Sequence, residues 1–252
     1  MWSAIERVYS QGSRIDERQA ATARGARVGM TETTAPGSSE LPEGRERHGV
    51  WWRPDRVSWW MGLLFAVGSL CFALAAIVSQ WASAPRPAIG VTYFVGSIFF
   101  TVAAYLQWRS ATREPRGIDW WASVIQLAGT LFFNVSTFAG MKHGFDARQS
   151  DLRVWTPDVF GSICFLVSSE LAYAAVCHRW FCVRARSLSW RIAALNLVGS
   201  IAFAASAVTS LIEPSTQEPV SAAIANAGTA VGALCFLAGA VMLLPAADRA
   251  AG

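Results

Sequence analysis

Charge is what this chain lacks over most of its length. Beyond Arg56, acidic and basic residues gather in short gaps between long apolar runs. A soluble globule interleaves charge with apolar residues at helix or strand period, so that class is excluded. Lysine is nearly missing as well: Lys142 is the single lysine beside 20 arginines. The net charge of +4 then fits loops held on one side of a membrane, and not nucleic-acid binding. No zinc-protease helix, phosphate-cradling glycine loop or Gly-x-Ser-x-Gly elbow occurs, which leaves an enzyme the least supported class. Five cysteines is an odd number and does not resemble the framework of a secreted disulfide protein. Cys71, Cys164 and Cys235 fall inside apolar runs, where small buried hydrophobes are the plain reading. Cys177, His178 and Cys182 lack a fourth ligand, so a reduced structural role is expected there, with no metal and no cofactor.

What the chain has in abundance is one five-residue motif, six times over. It reads GSLCF at 68–72, GSIFF at 96–100, GTLFF at 129–133, GSICF at 161–165, GSIAF at 199–203 and GALCF at 232–236. A Gly followed four residues later by Phe puts a notch and a knob on one helical face, a turn apart. In lipid, where apolar side chains gain nothing by leaving solvent, close approach at small residues is a main source of helix attraction. Gly68, Gly96, Gly129, Gly161, Gly199 and Gly232 are therefore expected to be helix-packing positions.

The fold class expected is an all-α polytopic membrane bundle of six transmembrane helices. The spans are about 58–79, 88–108, 120–140, 157–178, 190–211 and 221–244, each close to the roughly 20 residues that cross a 30 Å hydrocarbon core. Eleven of the twelve tryptophans fall at span ends, an aromatic belt at headgroup depth. Thr156 and Pro157 read as N-cap and first helical residue of the fourth span. Residues 1–50 are polar and are expected to be disordered, without a signal peptide, and Met30 could serve as the start. Residues 51–245 form the membrane domain and 246–252 a short tail. Arg53, Arg56, Arg109, Arg113, Arg116, Arg179, Arg184, Arg186 and Arg249 lie on one side, against Arg86, Lys142, Arg148 and Arg153 on the other. The positive-inside rule thus places both termini in the cytoplasm, in a multi-pass protein of the cell membrane.

Short links alternate with longer ones, so the natural unit is a hairpin, and spans 1–2, 3–4 and 5–6 give a threefold repeat. A 3+3 division would instead give inverted halves, and both divisions stand at this point. The stretches WWMGLLFAVGSLCFALAA (59–76) and YFVGSIFFTVAAYLQ (93–107) resemble the YrhK-like family of small membrane proteins. The hallmark of that family is a pair of spans with a Gly-Ser-x-x-Phe core. The resemblance is recognisable again in VFGSICFLVSSELAYAA (159–175). It implies an integral membrane protein without an assigned activity and carries over no catalytic residue.

Three polar residues inside the spans could carry chemistry: Glu170, Gln126 and Asn196, at similar depth from the side that holds the termini. An intramembrane carboxyl reads by default as a proton or cation site. The plainer account is a protonated Glu170 hydrogen-bonded to Gln126 or Asn196 as interhelical glue. Asn134 and Asn226, nearer the opposite surface, read as interhelical amide bonds. Two functions follow: a non-enzymatic structural or interaction protein, or a small proton- or cation-linked transporter or channel using Glu170. The partners implied are the lipid bilayer and a second copy or another membrane protein, with no nucleic acid.

Overall fold

The computed structural model describes residues 52–81, 85–112, 117–142, 144–178 and 180–245. The expectations about residues 1–50, the start at Met30 and the tail 246–252 lie outside the described residues, as do Arg113, Arg116, His143, Arg179 and Arg249. Six long apolar helices follow one another: α1 (Val57–Trp81), α2 (Arg86–Ala111), α3 (Ile118–Gly140), α4 (Thr156–Cys177), α5 (Leu188–Thr209) and α6 (Ala222–Leu243). All six are long and apolar enough to cross a membrane.

The large side chains turned outward are apolar. Val91, Val95, Ile98, Val102 and Tyr105 make one such stripe on α2, and Leu131, Val135 and Phe138 make another on α3. Spacing of three and four residues keeps each stripe on one face. A water-soluble monomer does not expose apolar surface on this scale. The inward faces are built from Gly, Ser, Ala and Phe instead. Before α1, Arg53 holds the Asp55 carboxylate at 3.2 Å and keeps its pKa below the usual carboxylate range.

Each helix packs on the next, and α6 closes back on α1, so the six form a ring. Within each hairpin the two motif glycines meet. A Cβ on Gly68 would stand 3.0 Å from the Gly96 carbonyl oxygen, and one on Gly199 would stand 3.0 Å from that of Gly232. On Gly161 it would stand 3.2 Å from the oxygen of Gly129. Each glycine also seats the motif Phe of its partner: Gly68 takes Phe100, Gly96 takes Phe72, Gly129 takes Phe165, Gly161 takes Phe133, Gly199 takes Phe236 and Gly232 takes Phe203. The same contact recurs in α1–α2, α3–α4 and α5–α6, so the repeating unit is the hairpin and the ring has an internal pseudo-threefold axis.

The fourth span begins earlier than its Thr-Pro pair suggests. A short helical lead-in, Ala147–Ser150, starts at Asp146, whose Oδ1 caps the Gln149 N–H at 2.7 Å. It passes through a wide turn, Asp151–Trp155, directly into α4. Thr156 is thus no N-cap; its hydroxyl donates to the Asp151 carbonyl at 2.7 Å. The physical reason is Pro157, which cannot donate to the carbonyl four residues back and would clash with it. Widening the preceding turn to bonds across five residues relieves that crowding.

Between hairpins, hydroxyls do the joining. Ser97 meets Thr137 at 3.0 Å across α2 and α3, and Ser169 meets Ser200 at 2.8 Å across α4 and α5. At the α6–α1 seam, Ser69 Oγ is buried and makes no hydrogen bond among the described residues. By the repeat, Ser69 matches Ser200, and Ala240 on α6 matches Ser169, each eight residues past its motif glycine. Ala240→Ser should therefore give Ser69 a partner and stabilise the bundle by about 0.6 kcal/mol, a typical interhelical bond in lipid. Thermal unfolding in detergent would read a raised Tm. A lowered one would show that the symmetry fails at this seam.

Candidate functional site

The six motif phenylalanines converge on the pseudo-threefold axis. Phe72, Phe133 and Phe203, from the odd helices, form one triangle with ring centroids 6.1 to 6.4 Å apart. Phe100, Phe165 and Phe236, from the even helices, form a second at 5.7 to 6.1 Å. The triangles touch through Phe72–Phe100, Phe133–Phe165 and Phe203–Phe236, at 5.5, 5.0 and 5.8 Å. All six rings are buried. Edge-on and tilted contacts at such spacing suit the ring quadrupole, so the plug is attractive as well as space-filling.

Above the first triangle, on the face that carries the hairpin turns, lies a cavity of about 590 Å³. Phe72, Phe133 and Phe203 form its floor. Tyr93, Asp158 and Thr229 line its wall, and each sits three residues before the motif glycine of its own even helix. These three are the same position in the repeat, filled by three different side chains. Trp155 closes one side, its indole N–H donating to the Ala207 carbonyl at 2.8 Å. Exposed Arg86 and Lys142 stand at the mouth.

Most polar groups around the cavity already have partners inside the chain. Ser206 bonds the Ala225 carbonyl and the Thr229 hydroxyl, each at 2.7 Å. Ser136 donates to the Val154 carbonyl at 2.8 Å, and Asn226 donates to the Gln80 side-chain oxygen at 3.1 Å. Asp158 is different: among the described residues its carboxylate has no hydrogen bond and no ion pair. It stands three residues, about 4.5 Å along the helix, from the Gly161 crossing. Arg86 lies ten residues, about 15 Å, from Gly96. The acid is thus deep and the bases shallow.

The three intramembrane candidates lie elsewhere, on the side of the termini. Gln126 accepts from the Gln107 amide at 3.1 Å, across α2 and α3. Asn196 is buried against α6, its Oδ1 3.0 Å from where a Gly239 Cβ would be. Glu170 is half-buried on α4 and has no hydrogen bond or ion pair among the described residues. None of the three lines the cavity. Asn134, like Asn226, bonds across helices, donating to Thr101 Oγ1 at 2.9 Å.

Asp158 and Gln107 were missed because each sits near a span end, where a polar residue reads as a boundary. Laying the six motif copies over one another would have flagged Asp158, since it falls inside the repeat. The expected reduced pair is corrected too: Cys177 and Cys182 form a disulfide. The reason is local. His178 turns left-handed at φ 53° and ends α4, so the chain doubles back and brings the two Cα atoms to 5.5 Å. Both the Tyr173 hydroxyl and the Trp190 indole N–H donate to the Cys182 carbonyl, which holds that loop on the bundle. This bridge lies on the face that the arginine count assigns to the cytoplasm, where disulfides are rare.

Six apolar helices closed around an aromatic axis define this chain as a multi-pass helical membrane protein. No protein-family model, curated protein or solved structure matches it.

Proposed function

We propose that this is a non-enzymatic, non-conducting protein of the cell membrane, with both termini cytoplasmic, whose one-sided cavity holds a small ligand. The observation that carries this reading is the double phenylalanine triangle directly beneath the cavity. A water or ion path along the axis would have to cross two layers of apolar rings, where its hydration shell finds no replacement. Against an enzyme stands the lining itself, which among the described residues offers one carboxyl group and no His or Cys to pair with it as nucleophile and base. Kinship with the YrhK-like family is proposed on the Gly-Ser-x-x-Phe pair of spans. The six motif glycines are consumed within the bundle, so a second copy or another membrane protein would meet this chain through the larger apolar side chains that face the lipid bilayer.

The alternative, a proton- or cation-linked transporter using Glu170, gains nothing from the cavity, because Glu170 does not line it. Purified protein in liposomes, loaded with a pH-sensitive dye and given a potassium gradient, should show proton and potassium flux at the level of empty vesicles. Flux above background that Glu170→Gln abolishes would overturn the reading and put transport in its place.

A further inference from the structure

We propose that the cavity recognises an organic ammonium group, with Asp158 as its counter-ion; this rests on the one-sided binding cavity argued above. Three observations converge. The first is Asp158 itself, a carboxylate one turn from the centre of the bundle with no hydrogen bond or ion pair among the described residues. A carboxyl group in such a place keeps its charge only when a cation pairs with it, and is neutral otherwise. Its natural mate within the cavity would be Arg86 or Lys142, and neither reaches it.

The second is the company the carboxylate keeps. The floor is three phenylalanine rings and the walls add Tyr93 and Trp155, with the Tyr93 ring 5.3 Å from Phe72. Aromatic faces attract weakly hydrated cations, alkylammonium groups above all, and do so more strongly where water is excluded. A carboxylate among several aromatic rings supplies charge and a matching apolar surface together. A small inorganic cation would lose its water here and gain only one carboxylate and a few hydroxyls, too few oxygens to replace a hydration shell.

The third is size and shape. At about 590 Å³ the cavity falls within the range of small-molecule sites, roughly 300–1,000 Å³, which are mostly apolar with a few placed polar groups. Arg86 and Lys142, among its exposed lining residues, lie on the hairpin-turn face, so a ligand entering there would lead with its cationic end towards the floor. Arg86 and Lys142 at the mouth then lie beside whatever trails behind, and an anionic group there would be tolerated.

The test uses the purified full chain in detergent, with choline as probe and its uncharged isostere 3,3-dimethyl-1-butanol as control, followed by calorimetric titration. Choline should bind and the neutral isostere should bind at least tenfold more weakly. Asp158→Asn keeps the size of the side chain and removes the charge. It should weaken choline binding about 10- to 100-fold, as loss of a charge attraction partly shielded from water would. It should leave binding of the isostere unchanged. Glu170→Gln, outside the cavity, should bind choline as the unaltered protein does. Should Asp158→Asn fail to fold, competition by tetramethylammonium but not by tert-butanol on the unaltered protein reads the same charge dependence. Equal binding of choline and its isostere, no choline binding at all, or an Asp158→Asn protein that binds choline undiminished would each overturn the proposal. The liposome measurement is independent of these outcomes: an ammonium site can fail while the bundle stays non-conducting, and the reverse.

Discussion

Gly96→Leu should yield almost no folded protein. A Cβ at that position would stand 2.9 Å from the Cys71 Cβ, 2.9 Å from the Phe72 ring and 3.1 Å from the Gly68 carbonyl oxygen. The first and last of these belong to or adjoin the backbone of α1, so no rotamer change relieves them. Alanine alone should cost about 1–3 kcal/mol by overpacking, and a larger side chain must part the two helices. Parting them also unseats Phe72 and Phe100, and with them the centre of the plug. Gly140→Ala is the control: the nearest atom to its added Cβ is Val154 Cγ1 at 3.9 Å. That change should be neutral or slightly stabilising, since alanine favours helix over glycine by about 1 kcal/mol. Size-exclusion profiles and thermal unfolding in detergent would compare the two. Equal damage from both would mean that glycine matters here for some reason other than close approach.

Phe165→Ala should be the most costly single truncation in the interior. The ring is 2 % exposed, sits on Gly129, and contacts Phe133, Phe100 and Phe236 at 5.0, 6.1 and 5.7 Å. Removing it opens a void ringed by groups that belong to both triangles and to three other helices. Emptying such a site costs about 3–5 kcal/mol where the surroundings cannot collapse, and a closed ring of helices leaves little room to collapse. Phe132 is the matched comparison, one residue from a motif Phe, stacked on Phe160 at 5.6 Å yet 39 % exposed on the outer face. Lipid chains fill the gap that Phe132→Ala leaves, so its cost should be well under that of Phe165→Ala. The two midpoints measured side by side in the same detergent decide the matter. A Phe132 penalty as large as that of Phe165 would place the stability of this protein on its rim.

The spans were legible in the sequence because they are a local property, whereas the choice of three hairpins over two inverted halves comes from the glycine contacts. Twenty apolar residues between tryptophans can only be a crossing, and the helix ends fall within three residues of the expected bounds everywhere except before Thr156. There the charged stretch from Ala147 to Trp155 reads as a link, yet it is helical because Asp146 caps it and Pro157 forces only a wider turn. The site was less legible, for a different reason. Gln126, Asn196 and Glu170 stand out along the chain because they are polar in apolar surroundings, but depth alone does not bring three helices together. Gln126 pairs with Gln107, which lies too close to the end of α2 to look intramembrane. Asp158 is hidden in the same way beside Pro157. The cavity arises only where three even helices present one repeat position to a common axis, and no single helix records that convergence. The Cys177–Cys182 bridge likewise depends on a left-handed residue at His178 that side-chain chemistry does not announce.

A ring assembled from three like hairpins does not need its linkers to know its own shape. A two-helix chain carrying the same Gly and Phe positions could reach this architecture only as a trimer, with three identical copies of the cavity wall. In the present chain the three copies share one polypeptide and need not be alike. One keeps a phenol, one a carboxylate and one a hydroxyl, at Tyr93, Asp158 and Thr229. A single carboxyl group on the cavity wall is something a symmetric assembly could not make, and covalent linkage of the hairpins is what permits it.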